Sequence, residues 1–165
     1  MAQRPNDPHA LHMMSLLLER DKQFEAASDF LNTLCGLLEE QYEETEDRDT
    51  LHKFCIVKSD LARVSLALRD YEAAVENSST ALDLSQGLSG LEKMRLSSHL
   101  TQGLGHYFLD EMDEAITVFQ MVLTESDEDV DVMLLVAQAL WAVGLPRQRD
   151  IALQQIRDWF EFLAY

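Results

Sequence analysis

The 165-residue sequence predicts an all-α chain, an α–α superhelix of about four stacked helix pairs. Three observations carry that expectation. Six glycines and three prolines are few for this length, and several sit where helices should start or stop, at Pro8, Gly87, Gly90, Gly144 and Pro146. Apolar residues recur at steps of three and four, and no stretch sustains the period-two alternation of a strand. A short sequence element also returns at intervals of tens of residues, as it does in stacked arrays.

The first helix, about 8–20, opens on Asp7-Pro8, an N-cap side chain followed by a proline where no N–H is needed. Leu11, Met14, Leu17 and Leu18 give it an apolar side. In the second, about 23–42, Phe24, Ala27, Leu31, Leu34 and Leu38 continue the spacing. The same reading places helices at about 49–69, 71–85, 88–109, 111–125, 127–143 and 146–164. Paired, they give repeats of about 8–42, 49–85, 88–125 and 127–164 within a single domain, 1–165.

The pairing rests on a repeated element. Phe24-Glu25-Ala26-Ala27, Tyr71-Glu72-Ala73-Ala74 and Met112-Asp113-Glu114-Ala115 each set a large apolar residue, then acid, then a small residue at the start of a second helix. A degenerate copy surrounds Asp150-Ile151-Ala152. Upstream, each first helix carries a small residue, Ser15, Ala62, Gly103 and Ala137, separated by 47, 41 and 34 residues. A small residue there lets a large side chain of the partner helix approach closely. Leu31 with Leu34, and Phe119 with Val122, are then expected to face the next first helix. No pair buries its apolar faces alone, so stacked neighbours supply the core.

Composition narrows the partners. Thirteen Lys and Arg against 30 Asp and Glu give a net charge of −17, which repels phosphate backbones and anionic membrane surfaces. Hydrophobic residues make up 47%, enough for a chain expected to bury about 70% of its unfolded surface. No run is long and apolar enough to span a bilayer, and residues 1–9 do not read as a signal peptide. Cys35 and Cys55 fall inside apolar helical patterns, where buried free thiols are expected, so a reducing, cytoplasmic setting is the expectation. Residues 43–49 and 125–131 hold −4 and −5, about half the net charge, and read as solvated turns. Asp127, Asp129 and Asp131 lack the glycine and distal glutamate of an EF-hand loop.

Helix pairs of this make resemble the tetratricopeptide repeat family, over roughly residues 8 to 164. A closer resemblance lies in Lys58-Ser59-Asp60-Leu61-Ala62-Arg63, Asp70-Tyr71-Glu72-Ala73-Ala74 and Ala81-Leu82-Asp83-Leu84-Ser85. It continues through 96–108, Met112-Asp113-Glu114-Ala115-Ile116 and Val136-Ala137-Gln138-Ala139-Leu140-Trp141. These stretches are similar to the scaffold subunits of the superkiller complex, fungal ones above all. The resemblance implies a non-enzymatic scaffold holding an RNA helicase and β-propeller subunits, in a complex that feeds mRNA to the cytoplasmic exosome for 3′-to-5′ decay. Those subunits carry many more repeats than four, so it also implies a piece of a longer array or a shortened relative. The alternative is a tetratricopeptide adaptor of another complex that binds a basic or amphipathic segment.

Arrays of this type bind partners along the concave face, lined by the first helix of each pair. Helical phase puts Ile56, Arg63 and Leu66 there, then Leu100, Leu104, Tyr107 and Phe108, then Leu134, Gln138 and Trp141. The same positions also fit plain packing against neighbouring helices. In the groove reading Tyr107 and Trp141 are the anchors, since aromatics are enriched among interface hot spots. Where chaperone-binding relatives clamp an acidic peptide tail, the comparable positions here are His9, His12, Ser59, Ser97 and Asp131, with Arg63 the only firm cation, which argues against such a clamp. The last helix carries Ile151, Ile156, Trp159, Phe160, Phe162, Leu163 and Tyr165 on more than one face. That pattern leads to the expectation that Trp159, Phe160, Phe162 and Tyr165 are covered by another repeat, a partner or a second copy. No nucleophile–base set, phosphate loop or metal spacing stands out; His99 and His106 share a helix face without a matching third ligand. No catalytic, cofactor or metal residue is expected.

Overall fold

The computed structural model describes residues 7–125. Six helices succeed one another there: α1 (Pro8–Arg20), α2 (Phe24–Thr45), α3 (Arg48–Ala67), α4 (Tyr71–Leu84), α5 (Glu92–Phe108) and α6 (Met112–Glu125). The expected helices at 127–143 and 146–164 lie outside the described residues.

The first helix starts as its sequence demands. Asp7 accepts a hydrogen bond from the Ala10 N–H at 3.1 Å, with Pro8 in the first turn. Each first helix then ends in one and the same turn. The N–H groups of Gln23, Asp70 and Glu111 donate to Leu18, Ser65 and His106 carbonyls at 2.8, 2.9 and 2.9 Å. One residue earlier, Lys22, Arg69 and Asp110 donate to Glu19, Leu66 and Tyr107 at 3.0–3.1 Å, with φ of 59, 63 and 61°. This double pattern is a Schellman motif, which closes a helix through one left-handed residue. The three copies keep the 47- and 41-residue spacing of Ser15, Ala62 and Gly103.

Two helix ends differ from the expected ones by three residues or more. α2 runs three residues further, to Thr45, so Glu43 and Glu44 form an exposed last turn rather than a loop. α5 begins at Glu92 instead of 88, because Gly87 and Gly90 both sit at φ 79° and turn the chain twice before it can coil. Leu88 and Leu91 anchor that turn in the core, and Arg95 donates to the carbonyls of Ser85 and Leu88 at 2.6 and 2.5 Å.

Each helix packs on the next, and α3 also packs on α5. Leu31, Leu34 and Leu38 of α2 meet Phe54, Val57, Leu61 and Val64 of α3, as expected of a second helix facing the next first helix. The first helix after α6, expected at 127–143, lies outside the described residues, and Phe119 is fully buried beside Leu100 and Leu104 of its own pair's first helix. A Cβ placed on Gly103 would lie 2.7 Å from its ring. Gly105 is equally tight, 2.7 Å from Val75 Cγ2 on α4. Absent side chains here set the helix spacing. Both cysteines are buried and unbonded. Burial is the main cause that pushes the Cys35 thiol up to about 11, and it raises that of Cys55 as well.

Candidate functional site

The first helices α1, α3 and α5 line one side of the stack, and their repeat-equivalent positions form a continuous stripe. On α1 it runs through His9, His12, Leu16 and Glu19; on α3 through Ile56, Ser59 with Asp60, Arg63 and Leu66. On α5 the same positions are Ser97, Leu100, Leu104 and Tyr107. The stripe thus passes from mixed charge on the first two helices to apolar on the third.

A side-chain network ties α1 to α3. The Arg63 guanidinium holds Glu19 through Nε and, at 2.8 Å, Nη2, and it reaches Asp60 Oδ1 at 3.0 Å. The other oxygen of Asp60 lies 2.8 Å from His12 Nε2. Hydrogen bonding to Glu19 raises the Arg63 pKa above its ordinary value despite partial burial, with Asp60 adding to the effect. The Arg63 side chain is 38% exposed, so solvent limits each pairing to about 1 kcal/mol or less. Further along, Ser98 donates to Ser59 at 2.9 Å, a buried hydroxyl pair that joins α5 to α3.

Two hollows flank this network and share Ile56. One, of about 160 Å³, is lined by Pro8, His9, His12 and Lys53 over the apolar side chains of Leu34, Leu38 and Val57. The other, about 320 Å³, lies between α3 and α5 and is lined by Asp60, Arg63, Lys93, Met94 and Ser97 among others. Arg63 is therefore not the one cation of this surface, since Lys53 and Lys93 line it too. Neither lysine has an ion-pair partner among the described residues.

The sequence-derived site residues fall into separate groups. Arg63 reaches the stripe but is engaged by two carboxylates. Leu100, Leu104 and Tyr107 are half-buried against Ala115, Phe119 and Val122 of α6. Phe108 lies further round, half exposed, and stacks on Tyr71 with ring centroids 4.8 Å apart. His106 Nδ1 faces Glu111 Oε2 at 3.4 Å. Leu134, Gln138 and Trp141, and the C-terminal Trp159, Phe160, Phe162 and Tyr165, lie outside the described residues, as does the acidic run at 127–131. Sequence reasoning misses Glu19 and Asp60 as partners of Arg63 and misses both lysines. The signal for Glu19 is its phase, seven residues past His12 on the same face.

No protein-family model matches the chain. Two curated relatives do. The Superkiller protein 3 of Saccharomyces cerevisiae is 34% identical over 161 residues, 94% of this chain and 11% of the relative. That of Schizosaccharomyces pombe is 30% identical over 163 residues, 98% of this chain and 12% of the relative. The chain thus spans about a tenth of the length of each. Among solved structures, a Podosopora anserina putative kinesin light chain with nearly identical TPR-like repeats superposes with a TM-score of 0.67 at 17% identity. The match covers 95% of this chain and 78% of that one. The fold is a tetratricopeptide-like repeat superhelix.

Proposed function

We propose that this tetratricopeptide-like array, similar to one stretch of two yeast superkiller proteins, is a non-enzymatic scaffold of a superkiller-type complex. The observation that carries the reading is the near-complete alignment of the chain to those relatives at 30–34% identity. The stack supports it. Its three first helices present a continuous stripe with hollows, and a rigid, repeat-built surface of this kind suits holding a partner segment. In this reading the chain acts in the cytoplasm, beside an RNA helicase and β-propeller subunits that assist 3′-to-5′ mRNA decay. The chemistry belongs to the helicase and the nuclease, and the acidic chain leaves RNA to them.

Arg63, Leu100, Leu104 and Tyr107, with Leu134, Gln138 and Trp141 beyond them, make the partner-binding face in this proposal. The C-terminal Trp159, Phe160, Phe162 and Tyr165 make a second covered face, through which the chain can also self-associate. Affinity purification of the tagged chain from cell extract tests the function. Recovery of an RNA helicase together with a β-propeller subunit is expected. Stable recovery within a different complex, with neither subunit present, would contradict the reading.

A further inference from the structure

Around the two hollows on this side of the stack, cations outnumber acids, against the trend of the chain. Three of the chain's 13 Lys and Arg, namely Lys53, Arg63 and Lys93, line the two hollows. Among the described residues, two acids accompany them, Asp60 in one hollow and Glu19 at its edge. Both acids are already engaged, Glu19 by Arg63, and Asp60 by Arg63 on one oxygen and His12 on the other. Among the described residues, the groups left without an ion-pair partner around the hollows are cationic: Lys53 on α3 and Lys93 on α5, both exposed, either side of Ile56. Next to them the stripe turns apolar, at Leu16, which is 37% exposed, and at the half-buried Leu100 and Leu104.

We infer that the groove between α1, α3 and α5 takes an amphipathic protein segment whose polar side is acidic. Its carboxylates sit over Lys53 and Lys93, and its aliphatic side chains lie along Ile56 and Leu100. The surrounding negative field opposes an acidic segment at long range, so the preference is set at close range by the two lysines. A basic segment would be drawn to the outside of the stack but would meet two unpaired lysines inside the groove. RNA is the other anionic polymer, yet two such lysines in a chain of net charge −17 give it few phosphate contacts. This inference rests on the scaffold reading, of which it specifies the partner chemistry.

Fluorescence anisotropy on the full chain tests it with three labelled probes: a helical Leu/Glu peptide, its Leu/Lys twin and an oligouridylate. The Leu/Glu peptide is expected to bind about tenfold or more tighter than its twin, and to weaken as salt is added. The double variant Lys53→Glu/Lys93→Glu should lose that preference, and Lys53→Met/Lys93→Met, which keeps the side-chain length without the charge, should lose it in part. Both lysines are exposed, and circular dichroism checks that each variant folds. Equal binding of the two peptides, binding of neither, stronger binding of the oligouridylate, or a preference unmoved by charge reversal would each overturn the inference. None of these results alters which subunits co-purify, so the two readings fail separately.

Discussion

At the scale of single residues, the clearest device is the pairing of the smallest first-helix residue with the largest second-helix one. Gly103 has no side chain because the Phe119 ring occupies the space where one would begin, 2.7 Å from a built Cβ. The ring is fully buried and has nowhere to go. Gly103→Ala should therefore destabilise the chain by about 1–3 kcal/mol in urea denaturation, and adding Phe119→Leu should recover part of the loss. The sequence pattern makes this legible, since Ser15, Ala62 and Gly103 recur in phase. It hides the contact between Arg63 and Glu19, because 44 residues separate them and either charge fits a solvated face equally well. The buried Cys35 thiol gives a second test. Its folded pKa is about 11 and its unfolded one about 9, so the unfolded chain loses this proton first. Stability should be unaffected by this group below pH 9 and fall between about pH 9 and 11, by about 3 kcal/mol at most. Cys35→Ala should flatten that decline.

At the scale of elements, three copies of one turn order the helix pairs, and none uses glycine. Lys22, Arg69 and Asp110 hold φ near +60°, a conformation that costs a side-chain-bearing residue about 1 kcal/mol or more. This is why the turns are hidden in the sequence: glycine is the usual mark of the left-handed position, and the repeated apolar–acid–small element marks only the start of the second helix. Lys22→Gly and Arg69→Gly, both at exposed positions, should each stabilise the chain by about 0.5–1 kcal/mol, read as a raised denaturation midpoint. Asp70 adds a cap by accepting from the Ala73 N–H at 3.2 Å. The α4–α5 connection shows the opposite case. Its two glycines do mark a helix boundary, but the connection, fixed by Arg95 on two carbonyls, continues four residues further than periodicity suggests. A tertiary clamp from a residue inside the next helix leaves no local signal. Arg95→Met should cost about 1–2 kcal/mol, since it leaves the Ser85 and Leu88 carbonyls without that donor.

At the scale of the whole molecule, the repeat alignment shows how one position takes different environments along the stack. Leu61 and Val64 of α3 are buried, at 4% and 0%, in the cluster shared with α2. Their equivalents on α1, Met14 and Leu17, are 47% and 57% exposed. Leu61→Ala should cost about 2–4 kcal/mol, while Met14→Gln and Leu17→Gln should stay within about 0.5 kcal/mol. The repeat order and the stripe of first helices are legible in the sequence because both derive from helical phase and spacing. The electrostatics of the groove are not, because pairing decides them: Asp60 and Glu19 read as free acids in the sequence and share the Arg63 guanidinium in the fold. A partner segment laid along α1, α3 and α5, as proposed, would shield those helices from solvent. Differential hydrogen exchange, comparing the chain alone with the chain in its purified complex, tests it most directly. Added protection is expected in peptides covering residues 9–19, 53–66 and 93–104, with α2 and α4 little changed. Protection confined to α2 and α4, with the first helices unchanged, would contradict it.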